Sequence, residues 1–234
     1  MRLLRRKEGC MIGLVRRRYM GSKDNIPSAS SYIQNGLIAL YDGIENAGAG
    51  IHDANATSWL NLANTSESIT GIDNTFTWGD DYLLPPIVNG VGVIPSYKPL
   101  TIECVFQDVG TGAYIPLGLQ VYWVGIRAND TINFSSGRYY VTLPNRTLKY
   151  SISGIMTTSN SSNNPSAIYL NGVSSMVSSA GMTFNHQPNV FNAVRFNYGT
   201  GTFKFFCIRL YNKQLTEQEV LANYAIDQQR FNLE

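Results

Sequence analysis

The stretch that decides the fold lies near the C-terminus and reads Ile208-Arg209-Leu210-Tyr211-Asn212-Lys213-Gln214-Leu215-Thr216-Glu217-Gln218-Glu219-Val220. Its first part continues an apolar, strand-like pattern that begins at residue 202. Thr216 and Glu219 have the spacing of a capping box, and Leu215 and Val220 have the spacing of a hydrophobic staple. The stretch therefore predicts a strand that runs directly into a C-terminal helix.

Strand patterns also fill the sequence upstream. Apolar residues alternate with polar ones over residues 100–107, 139–143 and 148–153, which is the period of a strand with one face in a core. Asn171-Gly172 predicts a tight hairpin turn between residues 168–170 and 173. Residues 191–198 and 202–211, joined by Gly-Thr-Gly, predict a second hairpin. We expect about a dozen strands and one terminal helix, hence a large antiparallel β-sandwich.

Composition supports one folded domain with a separate basic arm. Hydrophobic residues make up 44% of the 234 residues and charged residues 15%, which suits a packed core and argues against a disordered chain. Residues 1–23 hold eight basic side chains and one acidic, a net +7, whereas the rest hold 10 basic and 15 acidic, a net −5. We predict an arm and linker over residues 1–34 and a domain over residues 35–234.

The arm allows three interpretations. Its arginines could neutralise nucleic-acid phosphates, or pair with carboxylates of another protein while its apolar residues dock there, or belong to a solvated tail. We favour docking to a protein, with several copies assembled together. The arginines concerned are Arg2, Arg5, Arg6, Arg16, Arg17 and Arg18.

Targeting signals are not predicted. The apolar stretch over residues 10–15 is too short for a secretory signal, and no stretch is long enough to span a membrane. We therefore expect no secretion and no membrane contact, with either Met1 or Met11 as the translation start.

Cys104 and Cys207 lie in apolar stretches and are predicted to be buried free thiols. His52 is predicted to lie on the surface.

A second stretch, together with the first, resembles a known family. It reads Asn35-Gly36-Leu37-Ile38-Ala39-Leu40-Tyr41-Asp42-Gly43-Ile44-Glu45-Asn46, followed by Trp59-Leu60-Asn61-Leu62. Both stretches resemble the concanavalin A-like, laminin G-like jelly-roll domains of gut bacterial and bacteriophage proteins. The resemblance covers residues 35–234 and implies an all-β, antiparallel jelly-roll sandwich with Trp59 in its core. It says little about function, because this fold carries lectins, hydrolases and structural modules.

The resemblance also indicates which catalytic and calcium-binding residues to look for in this sequence. Members of the laminarin-degrading glycoside hydrolases carry Glu-x-Asp-x-x-Glu on one strand, and this sequence has no such motif. Glu103, the acid inside a clear strand pattern, is predicted to be a solvated outer-face residue. We therefore predict no catalytic residues and no enzyme. Relatives often bind calcium through loop carboxylates, which makes Asp80 and Asp81 the candidate calcium ligands.

Sugar binding needs aromatic faces for stacking and polar groups for hydroxyls. The candidate carbohydrate-binding residues are Tyr114, Tyr122, Trp123, Asn129, Asp130, Tyr139 and Tyr140.

The basic, Met-containing start directly before such a domain resembles small virion proteins of tailed phages that infect gut Bacteroidetes. It implies a structural and binding component of the virion, made in the host cytoplasm. The arm would hold other virion proteins of the capsid, portal or tail, and the sandwich would project as a fibre, capsid decoration or host-attachment domain that contacts host glycans. A bacterial lectin-like module is the alternative hypothesis, and a divergent glycoside hydrolase is the third.

Overall fold

The computed structural model describes residues 26–70, 76–85, 90–97, 100–109, 115–119, 122–126, 131–134, 139–145, 147–156, 165–178, 191–196 and 203–234. Residues 1–25, which include all six arginines of the predicted arm, lie outside the described residues.

Within the described residues the chain forms seventeen strands, several of them only two or three residues long. They are β1 (Leu37–Asp42), β2 (Ser58–Leu60), β3 (Ser68–Thr70), β4 (Thr77–Trp78), β5 (Leu83–Leu84), β6 (Gly90–Tyr97), β7 (Thr101–Asp108), β8 (Ile115–Leu119), β9 (Tyr122–Ile126), β10 (Thr131–Phe134), β11 (Tyr139–Thr142), β12 (Lys149–Met156), β13 (Pro165–Leu170), β14 (Val173–Ser174), β15 (Val177–Ser178), β16 (Phe191–Phe196) and β17 (Phe203–Tyr211). A single-turn 3-10 helix (Ala29–Ser31) precedes them and α1 (Glu217–Phe231) follows. Among the described residues, no helix combines the length and the apolar character that a membrane crossing requires.

The strands build two antiparallel sheets. The first has eight strands in the order β14-β13-β12-β7-β17-β5-β4, with β1 also paired to β17. The second has nine strands in the order β15-β11-β10-β9-β8-β16-β6-β3-β2. The prediction of an antiparallel jelly-roll β-sandwich with a short C-terminal helix is confirmed.

One apolar cluster joins the inner faces of the two sheets and forms the core. The eight-stranded sheet contributes Ile102, Ile152 and Ile208, and the nine-stranded sheet contributes Ile132 and Trp59. The indole of Trp59 is fully buried and donates to the backbone carbonyl of Asp42 at 2.9 Å, which satisfies its one polar atom. The predicted core position of Trp59 is confirmed.

The eight-stranded sheet is buried on its outer face as well, because α1 lies across it. Phe231 packs on this face against Val105, Phe206 and Cys207, and Val220 packs against Tyr211. A β-bulge in β17, between Phe205 and Cys207, turns both Phe206 and Cys207 toward the helix. A strand with one solvated face was predicted for residues 100–107, but β7 is buried on both faces.

The start of α1 has the predicted capping box. Glu219 N–H donates to Thr216 Oγ1 at 3.3 Å, and Thr216 N–H donates to Glu219 Oε2 at 2.9 Å. Leu215 and Val220 lie in one buried cluster, as the staple predicts. Leu221, the next residue, is 45% exposed and does not belong to this cluster.

Residues 191–211 differ from the predicted hairpin. β16 pairs with β6 and β8 in the nine-stranded sheet, whereas β17 pairs with β1, β5 and β7 in the other sheet. The hairpin prediction is wrong because local turn residues suit a crossover between sheets as well as a turn within one sheet.

The hairpin at Asn171-Gly172 is confirmed, with positive φ angles of 50° and 73° at the two turn residues. We expect Gly172→Ala to lower the free energy of unfolding by about 2–4 kcal/mol, because the new Cβ would combine an unfavourable backbone with a close contact. That Cβ would lie 2.8 Å from Tyr224 Cδ1. Gly50→Ala is the matched control, since φ is 71° but no atom lies within 4 Å of its Cβ. Equal losses in urea denaturation would contradict the contact with Tyr224.

Cys104 and Cys207 are free and buried, as predicted. Burial raises the pKa of both thiols, which keeps them protonated and poorly nucleophilic. We expect neither to react with Ellman's reagent until the protein unfolds. A Cys10→Ser variant isolates these two thiols, and rapid reaction of that variant under native conditions would contradict their burial.

Candidate binding face and buried ionic cluster

The outer face of the nine-stranded sheet, which we call the open face, carries exposed or half-buried side chains at most of its described positions, although Thr131 of β10 on this face is buried. In β3, Ile69 is buried and Thr70 is exposed; in β11, Val141 is buried and Thr142 is exposed. This alternation is that of a sheet with one face in the core and one in water. Within the described residues, α1 covers the outer face of the other sheet and no helix lies on the open face.

Strand register assigns the predicted carbohydrate residues to two different faces. Tyr140 is directly opposite Asn133 on one side and Val177 on the other, and Asn133 is opposite Gly125. Trp123, two residues before Gly125, has the same parity and so shares the open face with Tyr140.

Two other predicted residues have the opposite parity. Tyr139 alternates with Tyr140, and Tyr122 alternates with Trp123, so their positions fall on the face that holds Val141. Tyr114, Asn129 and Asp130 lie outside the described residues. Strand register thus places the positions of Trp123, Asn133 and Tyr140 on the same face of three adjacent strands, and Asn133 is a position that the sequence analysis did not select.

Asp80 and Asp81 lie in the turn between β4 and β5. Asp80 is exposed, and Asp81 Oδ2 is 3.4 Å from Lys149 Nζ. Across the described ranges, no three His, Cys, Asp or Glu residues gather in a way that could hold a metal ion. Calcium at this turn stays a prediction, and the ion pair with Lys149 would compete with it.

An ionic cluster is buried between the eight-stranded sheet and α1. Arg209 on β17 donates through Nε to Glu103 Oε2 at 2.7 Å, and through Nη1 and Nη2 to Asp227 of α1 at 2.6 and 2.8 Å. All three side chains are at most 1% exposed. Burial alone would lower the pKa of Arg209, but Asp227 and Glu103 raise it well above its usual value.

Arg209 balances only one of the two negative charges in this cluster, and hydrogen bonds from neutral groups stabilise both carboxylates further. Asp227 accepts from the hydroxyls of Tyr32 and Ser151, each at 2.8 Å. Glu103 accepts from Ser153 Oγ at 2.8 Å and Asn223 Nδ2 at 2.7 Å. Burial still raises the pKa of Glu103, against the opposing effect of Arg209. Such a saturated network orients α1 on the sheet, since any misplaced member would leave a buried charge unpaired.

The position of Glu103 corrects its sequence assignment. It was predicted to be a solvated outer-face residue, but it is 1% exposed beneath α1. Alternation correctly placed Glu103 on the outer face, and it could not reveal that a helix from the far end of the chain covers that face. A carboxylate enclosed in this way cannot reach a polysaccharide substrate.

Residues 26–34, predicted to be part of a linker, are instead held on the same side by a second arginine and by the helix. Arg230 donates to Asp42 Oδ1 at 2.7 Å and to the carbonyl of Pro27. Tyr32 is 1% exposed, and the guanidinium of Arg209 lies 4.1 Å from its ring centroid. Ala29 N–H donates to Glu45 Oε1 at 2.8 Å. The segment is therefore part of the packed body at these residues.

No family model and no curated protein matches this chain. Solved structures do resemble its fold. The match to Trypanosoma rangeli sialidase covers 87% of this chain and 33% of the sialidase chain, at a TM-score of 0.54 and 15% identity. The botulinum neurotoxin serotype D binding domain matches 82% of this chain with 52% of its own, at a TM-score of 0.51 and 9% identity.

This chain therefore spans about a third of the sialidase and about half of the toxin domain. At these identities the likeness shows the fold alone, and it transfers no site residue. The candidate binding face rests on the register and burial of this chain's own strands.

Proposed function

We propose that this chain is a non-enzymatic, glycan-binding component of a bacteriophage particle, anchored by its basic arm and binding host-surface glycans through the open face. The observation that carries the proposal is the asymmetry of the sandwich. On the outer face of the eight-stranded sheet, α1 and residues 26–34 cover β7, β12 and β17, whereas no described helix covers the nine-stranded sheet, whose outward-facing Thr70, Thr142 and Val177 are exposed.

The residues of the open face suit a sugar. Trp123 and Tyr140 bring two aromatic residues to one face, and aromatic rings stack on the C–H faces of sugar rings. Asn133, opposite Tyr140, adds an amide that can both donate to and accept from hydroxyls. Several copies on one particle would make weak binding at each face effective through avidity.

The names of the structural neighbours point in the same direction. One is a sialidase, which has been captured in complex with sialic acid, and another is the binding domain of a toxin. They support testing sialylated glycans first. They do not bear on the phage role, which is supported by the resemblance of the arm and of the strand-to-helix stretch.

The root of the arm supports an anchor on the side away from the ligand. Pro27 and Tyr32 contact Arg230 and Asp227 of α1, so the described chain, which begins at residue 26, begins on the covered side. The open face belongs to the opposite sheet. An arm docked in a virion protein would therefore hold the open face outward.

Binding is tested on a glycan array that includes sialylated glycans, with the protein multimerised on a scaffold. We expect a defined set of glycans to bind, and Tyr140→Ala or Trp123→Ala to weaken that binding about tenfold. Tyr169→Ala is the matched control, since Tyr169 is a half-buried tyrosine on β13 of the covered sheet. If the multimerised protein binds no glycan, glycan recognition is excluded and a purely structural role replaces it.

Anchoring is tested by deleting residues 1–23 and measuring incorporation into particles. We expect incorporation to be lost while glycan binding persists. Replacing the six arginines with lysine keeps the positive charge but removes bidentate pairing with carboxylates. A partial loss of incorporation would therefore indicate that the arm docks on carboxylates. Incorporation of the truncated protein at the wild-type level would overturn the anchoring role and favour a lectin-like module outside a virion.

A further inference from the structure

A pocket lies on the covered side of the sandwich, at the C-terminal end of α1. Its volume is about 220 Å³. Strands β7 and β12 supply Gln107 and Lys149 to its wall, the turn after β13 supplies Asn171, and the residue after α1 supplies Asn232. This pocket is separated from the open face by the full thickness of the two sheets.

Several polar atoms in this pocket have no partner among the described residues. Gln107 Nε2 donates to the carbonyl of Thr147 at 2.7 Å, which leaves its Oε1 free. Asn171 Oδ1 accepts from Ser151 N–H at 2.9 Å, which leaves its Nδ2 free. The side-chain amide of Asn232 makes no hydrogen bond within the described part of the chain. Three residues that line this pocket thus have donors or acceptors open to solvent, since Asn232 is exposed and Gln107 and Asn171 are half-buried.

The charge of the pocket favours a neutral ligand over an anion. The ammonium of Lys149 donates to the carbonyl of Phe231 at 2.9 Å and lies 3.4 Å from Asp81. Its positive charge is therefore partly used, and Glu234 adds a carboxylate to the rim. An anionic group would meet no excess positive charge here.

Shape and polarity together fit one sugar ring. The volume is below the range of roughly 300–1,000 Å³ that is usual for drug-sized ligands. Amides offer both donors and acceptors, which is what neighbouring hydroxyls require. Leu148, 37% exposed, adds an apolar wall for the C–H groups of a ring.

We propose that this pocket binds a single uncharged sugar residue, as a second glycan site independent of the open face. Occupation of both sites would let one sandwich contact glycans on two sides, and would place sugar binding next to the root of the arm.

Saturation-transfer NMR with four free sugars (glucose, galactose, mannose and N-acetylglucosamine) tests the pocket in the full-length protein. At least one sugar should show transfer, and Asn232→Gly should weaken its binding about fivefold by removing an amide. Glycine retains the left-handed conformation of residue 232, where φ is 51°, so the helix end is preserved. Gln107→Leu should have a similar effect, and circular dichroism verifies that both variants are folded.

Gln229→Ala is the matched control, since it removes an exposed amide of α1 outside the pocket. It should leave sugar binding unchanged. The proposal is overturned if none of the four sugars shows transfer, or if transfer survives both pocket substitutions. Loss with Tyr140→Ala alone would place the sugar on the open face and would also overturn it. Because pocket variants keep the open face intact, failure here leaves the array experiment unaffected.

Discussion

Replacing Arg209 with methionine is expected to lower the free energy of unfolding by about 3–5 kcal/mol. The substitution keeps most of the side-chain volume but leaves Glu103 and Asp227 facing each other without a cation. Both carboxylates are at most 1% exposed, so neither can recover its hydration without moving α1 off the sheet. The loss reflects two uncompensated buried charges more than the intrinsic value of the ion pairs.

Urea denaturation followed by circular dichroism measures this loss. Lys213→Met is the matched control, because Lys213 pairs with Glu219 at 2.6 Å but is 27% exposed. A pair of that exposure is worth about 0–1 kcal/mol. If both variants lose the same free energy, the buried cluster does not hold α1 in the manner described.

Deleting residues 1–34 is expected to destabilise the body by at least about 4 kcal/mol, whereas deleting residues 1–25 should change its stability by no more than about 0.5 kcal/mol. The longer deletion removes the buried Tyr32 and Ala29 and takes a hydrogen-bond donor from both Asp227 and Glu45. The shorter deletion keeps every described contact of this segment.

Thermal and urea unfolding of the two truncated proteins check this expectation. Tyr32→Phe, which removes only the hydroxyl that donates to Asp227, should cost about 1 kcal/mol and gives a graded comparison. If the protein lacking residues 1–34 is as stable as the full chain, residues 26–34 act as a linker after all, as their sequence suggests.

The parts of the fold that sequence predicted are those set by local chemistry. Thr216 and Glu219 mark the start of α1 because the capping box is a property of four consecutive residues. Asn171-Gly172 marks a tight turn because both residues tolerate positive φ. The burial of Trp59 followed from a resemblance, and its buried hydrogen bond to Asp42 explains that position.

The parts that sequence missed depend on contacts distant in the chain. Glu103 lies 106 residues from Arg209 and 120 from Asn223, so its alternation pattern could not show its partners. The sequence did contain one sign of this cluster, because Arg209 is a charged residue in an otherwise apolar strand and Asp227 is a charged residue in the C-terminal helix. Residues 26–34 resembled a linker because their Ser and Pro content obscured one buried tyrosine.

The candidate site was only partly predictable, for a geometric reason. Sequence selected aromatic residues by type, and adjacent pairs such as Tyr139 and Tyr140 necessarily point to opposite faces of a strand. Register was needed to choose Tyr140 over Tyr139 and to bring Asn133 beside it. The pocket beside Asn232 could not be foreseen, because its walls come from two strands, a turn and a helix end.

Hydrogen–deuterium exchange with and without the best glycan from the array tests the central claim most directly. The account predicts slower exchange in peptides that cover β9, β10, β11 and β15, which form the part of the open face with Trp123 and Tyr140. Peptides that cover α1 should show no change in exchange rate when the ligand is bound on the open face. Protection confined to α1 and residues 26–34, with none in β9 to β11, would contradict the assignment of the open face as the glycan-binding surface.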